Sequence, residues 1–205
     1  MRKLKFFTDI DKEEIWLNEM AKQGYQLTRK LLGYQFQQAQ PENSVIKIDY
    51  RTFKRREDFE DYCALFEDSG WKHITGTKSS GYQYFKNINE NQNEDIFSDA
   101  DSKAGRYKRL SQMWITMATT FLPLFVVLMT TGSIKLSPIW NLKSLYYTPG
   151  LWEKTGASFL SAFLFETPFA IIRGFLWLFF PVLIVLYLIF AYRANRQYQK
   201  TNEGK

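Results

Sequence analysis

Hydrophobic and polar positions divide the 205-residue chain into two contrasting halves. Up to about residue 110 the apolar residues come in short periodic groups, and beyond it in long uncharged runs. The two longest lie between Arg109 and Lys135 and between Arg173 and Arg193, and their densest apolar stretches are residues 113–131 and 174–192. Each is 19 residues long. At about 1.5 Å per residue that covers roughly the 30 Å hydrocarbon core of a bilayer, so each predicts a transmembrane helix. Pro123 and Pro181 fall inside these runs, where a kinking proline is tolerated. Between them, residues 155–165 are apolar but only 11 long before Glu166 and Pro168. That is too short to cross, so residues 155–172 are expected to form an interfacial or re-entrant segment. Trp140, Tyr146, Tyr147 and Trp152 in the preceding loop suit the headgroup region.

The first half has the shorter periods of a folded α+β domain. Residues 4–7 read as a strand. A helix capped by Asp9 or Asp11 then runs to about Gln23, with Trp16, Leu17 and Met20 as its apolar stripe and Gly24 as its stop. Residues 25–31 and 34–38 follow as strands hinged at Gly33. The pattern then restarts, with a strand at 45–53 alternating apolar and charged residues. A helix at 56–69 carries Phe59, Tyr62, Cys63 and Phe66 on one stripe. Strands at 71–75 and 81–86 complete the series. Gly24 and Gly70 are 46 residues apart and Gly33 and Gly81 are 48 apart, which suggests an internal β-α-β-β repeat. The expected domain, residues 1–86, is an antiparallel sheet with both helices on one face. Ile46, Ile48 and Tyr50 would turn toward the helices and Lys47, Asp49, Arg51 and Gln83 away. Such a layer arrangement resembles duplicated GyrI-like and ferredoxin-like folds, which implies ligand binding between halves. Residues 87–94 read as a polar linker and residues 96–110 as a helix leading into the first run, capped by Ser98 or Asp99.

Charge refines this division. The formal net charge is +6, yet residues 1–110 hold 19 basic and 18 acidic side chains and the remainder 8 and 3. The excess therefore belongs to the apolar half and argues against a nucleic-acid partner. Lys103, Arg106, Lys108 and Arg109 precede the first run, and Arg193, Arg196, Lys200 and Lys205 follow the second. Lys135, Lys143 and Lys154 are spread along the loop. This distribution predicts two spans with both termini in the cytoplasm. The basic cluster Lys103, Arg106, Lys108 and Arg109 is also a candidate contact for anionic lipid, at about 1 kcal/mol per basic residue; topology signalling alone accounts for it and needs nothing further.

Candidate chemistry is sparse. His73 is the single histidine and Cys63 the single cysteine. A lone strand histidine and a cysteine on an apolar stripe read as structural residues, so no metal and no cofactor are expected. Phosphate-cradling glycine loops, GxSxG and HExxH are absent from the sequence. The carboxylates Glu57, Asp58, Glu60, Asp61, Glu67 and Asp68 are spaced as a solvated helix face requires. No enzyme is nominated. Lys47, Asp49, Tyr50 and Arg51 are the candidate ligand-binding surface.

The segments FFTDIDKEEIWLNEMAKQGYQL, GYQF, SGW before GYQYF, and FSDADSKAGRYKR, in this order, resemble a family of bacterial membrane proteins catalogued as domain of unknown function 2812. The resemblance implies a bacterial cell-membrane location, two spans after the domain, and encoding near PadR-like regulators. It carries no catalytic residues. The expected function is a membrane-anchored module whose cytoplasmic domain binds a small molecule or protein partner in a regulatory or sensing role. The alternative is an accessory or homo-oligomerising subunit of a membrane transport complex.

Overall fold

The computed structural model describes residues 1–88, 95–134 and 137–203. Most of the expected linker (89–94), Lys135 and Lys205 lie outside the described residues. The chain forms two compact units, Met1–Gln112 with Tyr192–Lys205, and Met113–Ala191.

In the first unit the order is β1 (Arg2–Lys3), α1 (Ile10–Lys22), β2 (Tyr25–Lys30), β3 (Tyr34–Gln38), β4 (Ile46–Tyr50), α2 (Arg56–Asp68), β5 (Trp71–Thr75) and β6 (Tyr82–Asn87). The strands form two antiparallel three-stranded sheets, β1-β3-β2 and β4-β6-β5, rather than the single sheet expected from the sequence. β1 is also shorter and earlier than the expected strand at 4–7, because Phe7 leaves the ladder to pack against Trp16 at 5.3 Å. Asp9 caps α1, its carboxylate accepting the backbone N–H of Asp11 at 3.0 Å. Gly24 and Gly70 end the two helices with φ of 81° and 84°, backbone that favours glycine.

The two sheets share one strand order and one irregularity. The ladder shifts register between Leu27 and Arg29 in β2 and between His73 and Thr75 in β5, 46 residues on. In the central strands the matching positions are 49 apart: Leu27 faces Phe36 as His73 faces Phe85. The second hairpin is therefore three residues longer, and the Gly33-Tyr34 and Gly81-Tyr82 dipeptides do not occupy equivalent positions.

The helices do not share one face of one sheet. Trp16 of α1 meets Tyr34 and Phe36 of the first sheet at 4.7 and 5.7 Å. Tyr62 and Phe66 of α2 meet Phe85 of the second at 5.7 and 4.6 Å. The α2-covered face is the one carrying Asp49 and Gln83, expected to point outward but buried. Ile46, Ile48 and Tyr84 lie on the opposite face and are buried too.

The free edge of β4 is closed by side chains. The Ile46 N–H donates to Asn18 Oδ1 at 2.7 Å and the Ile48 N–H to Glu14 Oε1 at 3.0 Å, both on α1. The carbonyls of Ile48 and Tyr50 accept from Arg106 and Arg109 at 2.7 and 2.6 Å. An open strand edge is a template for unwanted pairing, and here these side chains cover it. The two arginines belong to α3 (Ala100–Thr130), capped by Asp99, which accepts the Ser102 N–H at 2.7 Å.

The second unit contains the apolar part of α3, a short α4 (Ser137–Trp140), two 3-10 turns (Leu142–Leu145 and Leu151–Glu153) and most of α5 (Gly156–Glu203). α3 and α5 are long and apolar enough to cross a membrane. They pack antiparallel through an aromatic seam. Trp114 stacks on Tyr187 at 5.6 Å, and Phe121 and Phe125 meet Phe180 at 6.3 and 6.5 Å. Residues 155–172, expected as a separate segment, are instead continuous with the second run. α5 passes through Pro168 and Pro181 for 48 residues, about 72 Å at the usual rise. Two prolines do not end it because each removes one backbone hydrogen bond among many. The loop folds back on its first half, where Tyr146 stacks on Phe163 at 5.4 Å. Glu166 pairs with Arg173 and accepts the Thr148 hydroxyl at 2.8 Å, and Arg173 donates to the Leu145 carbonyl at 2.7 Å.

Candidate functional site

The segment between β4 and α2 leaves β4 at Arg51 and is tied to the second hairpin by Phe53, whose N–H donates to the Lys78 carbonyl at 2.7 Å. This bend and α2 enclose an open groove of about 560 Å³. Arg51, Phe53, Lys54, Asp58, Tyr62 and Leu65 line it. The Arg51 guanidinium lies 5.6 Å from the ring centres of both Phe53 and Tyr62, cation–π distances that hold it over an aromatic floor. Charges of both signs at the rim and aromatic or aliphatic carbon below suit an amphiphilic ligand or peptide side chain.

Tyr62 has its ring in the groove and its hydroxyl inside the domain. That hydroxyl donates to Asp49 Oδ2 at 2.9 Å, and Asp49 Oδ1 pairs with Arg109 Nη2 at 2.6 Å. Burial, reinforced by the Asp49 carboxylate, pushes the Tyr62 phenol well above its ordinary pKa, so the hydroxyl remains a donor. Three residues earlier on α3, Arg106 is fully buried and pairs with Glu14 and with Asp11, the latter at 2.6 Å. Burial opposes its charge, but Glu14, Tyr107 and Asp11 outweigh that and raise its pKa. Lys47 reaches the other oxygen of Glu14 at 3.2 Å. Beside this cluster, Glu13 accepts the hydroxyls of Tyr34 and Tyr84 at 2.7 and 2.6 Å. Burial raises the Glu13 pKa in spite of the two donors.

The candidate residues are thus redistributed. Of the four proposed for ligand binding, Arg51 lines the groove. Asp49 is buried and bonded to Tyr62, Tyr50 is buried on the opposite face of β4, and Lys47 is paired with Glu14. Of the four proposed for lipid, Arg106 and Arg109 are engaged with carboxylates of the domain and Lys103 pairs with Asp95 at 2.7 Å. Lys108 is exposed, 5.7 Å from the Tyr198 ring centre. Glu13, Glu14 and Tyr62 were not singled out as functional from the sequence. Their signal was available in their spacing, since Ile10, Glu13, Glu14, Leu17 and Ala21 recur at the period of one helical face and are all buried. His73 Nε2 donates to Gln83 Oε1 at 3.1 Å and the ring lies between Phe59 and Phe85, a structural setting. Cys63 is half-buried, with its thiol pushed up to about 11 by burial. Among the described residues, no three histidine, cysteine or carboxylate side chains are grouped to hold a metal ion.

No curated protein and no solved structure matches the chain. One family model, described as a protein of unknown function, DUF2812, matches residues 9–119. The match runs from the cap of α1 into the apolar part of α3 and contains the groove, Asp49 and both arginines. It spans more than half of the chain, and the protein belongs to the DUF2812 family.

Proposed function

We propose that this protein is a two-span membrane module of regulatory type. Its α+β domain binds an amphiphilic small molecule or a peptide in the groove beside α2. The occupied or empty state then passes to α3 through Tyr62, Asp49 and Arg109. The observation that carries this reading is the double role of Tyr62: one buried side chain contributes its ring to the groove and its hydroxyl to the ion pair that clamps α3. α3 is the helix that continues from the polar unit into an apolar run.

A bilayer position is supported by the exposed apolar side chains of α3 and α5. Leu122, Val126, Val127, Leu178, Val182 and Leu188 are all open to the surroundings, far more apolar surface than a soluble helix pair leaves in water. Same-side termini are supported by two contacts inside the polar unit. Gln197, near the end of α5, donates to Asp9 at 3.0 Å, and Tyr198 lies beside Lys108. Two crossings return the chain to the side it left. The positive flanks favour the cytoplasm as that side. Matching bulges and matching strand order support an internal duplication of a β-α-β-β unit, with the longer second hairpin as its main departure.

The test uses the full-length protein in nanodiscs and a panel of amphiphilic compounds. A compound that enters the groove raises Tm and slows amide exchange in residues 100–112. With Tyr62→Phe the ring remains, so the Tm shift persists while the slowing at 100–112 is lost. A panel that moves no Tm, or slowing that survives Tyr62→Phe, contradicts the reading.

A further inference from the structure

The first hairpin carries an exposed apolar tip that its fold does not require. Leu31 and Leu32, between β2 and β3, are 58% and 88% exposed, and Leu4 is 76% exposed. The three are neighbours, since a Cβ built on Gly33 would lie only 2.8 Å from Leu4 Cδ2. Hairpin turns ordinarily use glycine, asparagine, aspartate or serine. The second hairpin of the same unit follows this rule, with Thr77, Lys78, Ser79 and Ser80 at its tip. Two leucines at the equivalent place are therefore not imposed by turn geometry.

The charge around this tip is of one sign. Residues 1–8 and 24–41 contain Arg2, Lys3, Lys5, Arg29 and Lys30 and no acidic residue. Arg2 and Arg29 both pair with Gln35 in the ladder, from opposite sides, which sets them on the same face. Both are exposed, as is Lys5. Among the described residues none of the five cations has a carboxylate within ion-pair distance. Lys30 feels the buried Glu13 carboxylate electrostatically; Arg2, Lys5 and Arg29 differ from Arg106 and Arg109, whose charges are paired within the domain.

We propose that the tip of the first hairpin, with Leu4, is a docking surface for an anionic bilayer. Leu4, Leu31 and Leu32 enter the acyl boundary while Arg2, Lys5 and Arg29 meet lipid phosphates. Charge complementarity favours this occupant over a second copy of the chain, because two such tips would oppose like charges. Weak individual contacts suffice, since apolar helices that hold the chain at a bilayer make the contact effectively intramolecular. The inference rests on the two-span reading only for that tethering and is independent of what the groove binds.

The test places an environment-sensitive dye on the full-length protein carrying Cys63→Ala and Leu32→Cys, in nanodiscs of phosphatidylcholine with or without phosphatidylglycerol. A Lys78→Cys protein, labelled on the counterpart hairpin, is the control. Only particles in which protein and lipid co-elute are measured, so failure to insert is read as failure of the two-span reading. The expected result is a blue shift at position 32 that requires phosphatidylglycerol and is lost in high salt. It is also lost in a protein carrying Arg2→Gln, Lys5→Gln and Arg29→Gln. Position 78 gives no shift. Emission indifferent to anionic lipid, or equal shifts at positions 32 and 78, overturns the proposal. A shift in lipid-free micelles that grows with protein concentration overturns it in favour of self-association.

Discussion

Arg106 is the residue on which the polar unit most depends. It is fully buried, and two carboxylates and a backbone carbonyl receive its guanidinium. Removing one member of such a group leaves an uncompensated buried charge, which costs about 3–5 kcal/mol. Arg106→Gln is thus expected to lower stability by that order, measured by denaturant unfolding of the full-length protein in micelles. Adding Glu14→Gln to it recovers part of the loss; a double variant as destabilised as the sum of the two singles contradicts the pairing. His73 offers a second check. Burial against Phe59 and Phe85 lowers its pKa below the usual 6.5, so the fold favours the neutral ring. Its contribution to stability is fully present above pH 6.5 and is lost as pH falls through the lowered value. Because it is the single histidine, one imidazole NMR signal reports it. A midpoint at or above 6.5 contradicts the buried setting. Glu13 runs in the opposite sense. Its raised pKa makes its contribution greatest below 4.5 and smaller as pH rises through the folded value. These buried charges were the least legible part of the sequence. Glu13 and Glu14 follow the cap of α1, where acidic residues commonly serve the helix dipole in solvent. Only their position on the buried stripe distinguishes them, and neither partner lies nearby in sequence.

At the scale of elements, periodicity located nearly every helix and strand. The glycine stops at Gly24 and Gly70 fell where a left-handed backbone ends each helix. Pairing across sheets was less legible. An alternating strand reveals which residues share a face but not whether the second face is also covered, so Asp49 and Gln83 were assigned to solvent when α2 buries them. The GYQF and GYQY match was one residue out of register: it implies a second hairpin two residues longer where the ladders give three, and it pairs Tyr34 with Tyr82 although Gln83 holds the equivalent place on the opposite face from Tyr82. The closed edge of β4 gives a prediction at this scale. Asn18→Ala leaves the Ile46 N–H without its 2.7 Å acceptor and is expected to cost about 1–3 kcal/mol. Hydrogen exchange at Ile46 rises with it, while β6-bonded neighbours are protected as before. Equal loosening along the whole strand contradicts a local cap. In the apolar unit the error was one of continuity. Proline and glutamate close to residue 167 suggested a break, whereas Glu166 turns its charge to Arg173 and the loop, and the helix runs on.

The whole molecule is a polar unit holding the beginning of one long apolar helix and the end of another. The proposed topology, with both termini in the cytoplasm, predicts that a reporter active only there works at either end of the chain, and that one inserted near Trp140 does not. Opposite behaviour of the two end fusions contradicts two crossings. The net charge of +6 then acquires a different reading from that of a basic binder. It is the excess of the apolar half, whereas in the nearly balanced polar half Arg106 and Arg109 close the edge of β4 and Arg2, Lys5 and Arg29 surround the leucine tip of the first hairpin. The central claim is that the groove and α3 are coupled through Tyr62, Asp49 and Arg109. Its most direct test is a double-mutant cycle of Tyr62→Phe and Arg109→Gln, read as amide exchange in residues 100–112 of the full-length protein in nanodiscs. Coupling predicts that each single variant accelerates exchange there and that the double variant is no faster than Arg109→Gln alone. Additive acceleration, or a Tyr62→Phe effect confined to α2, contradicts it.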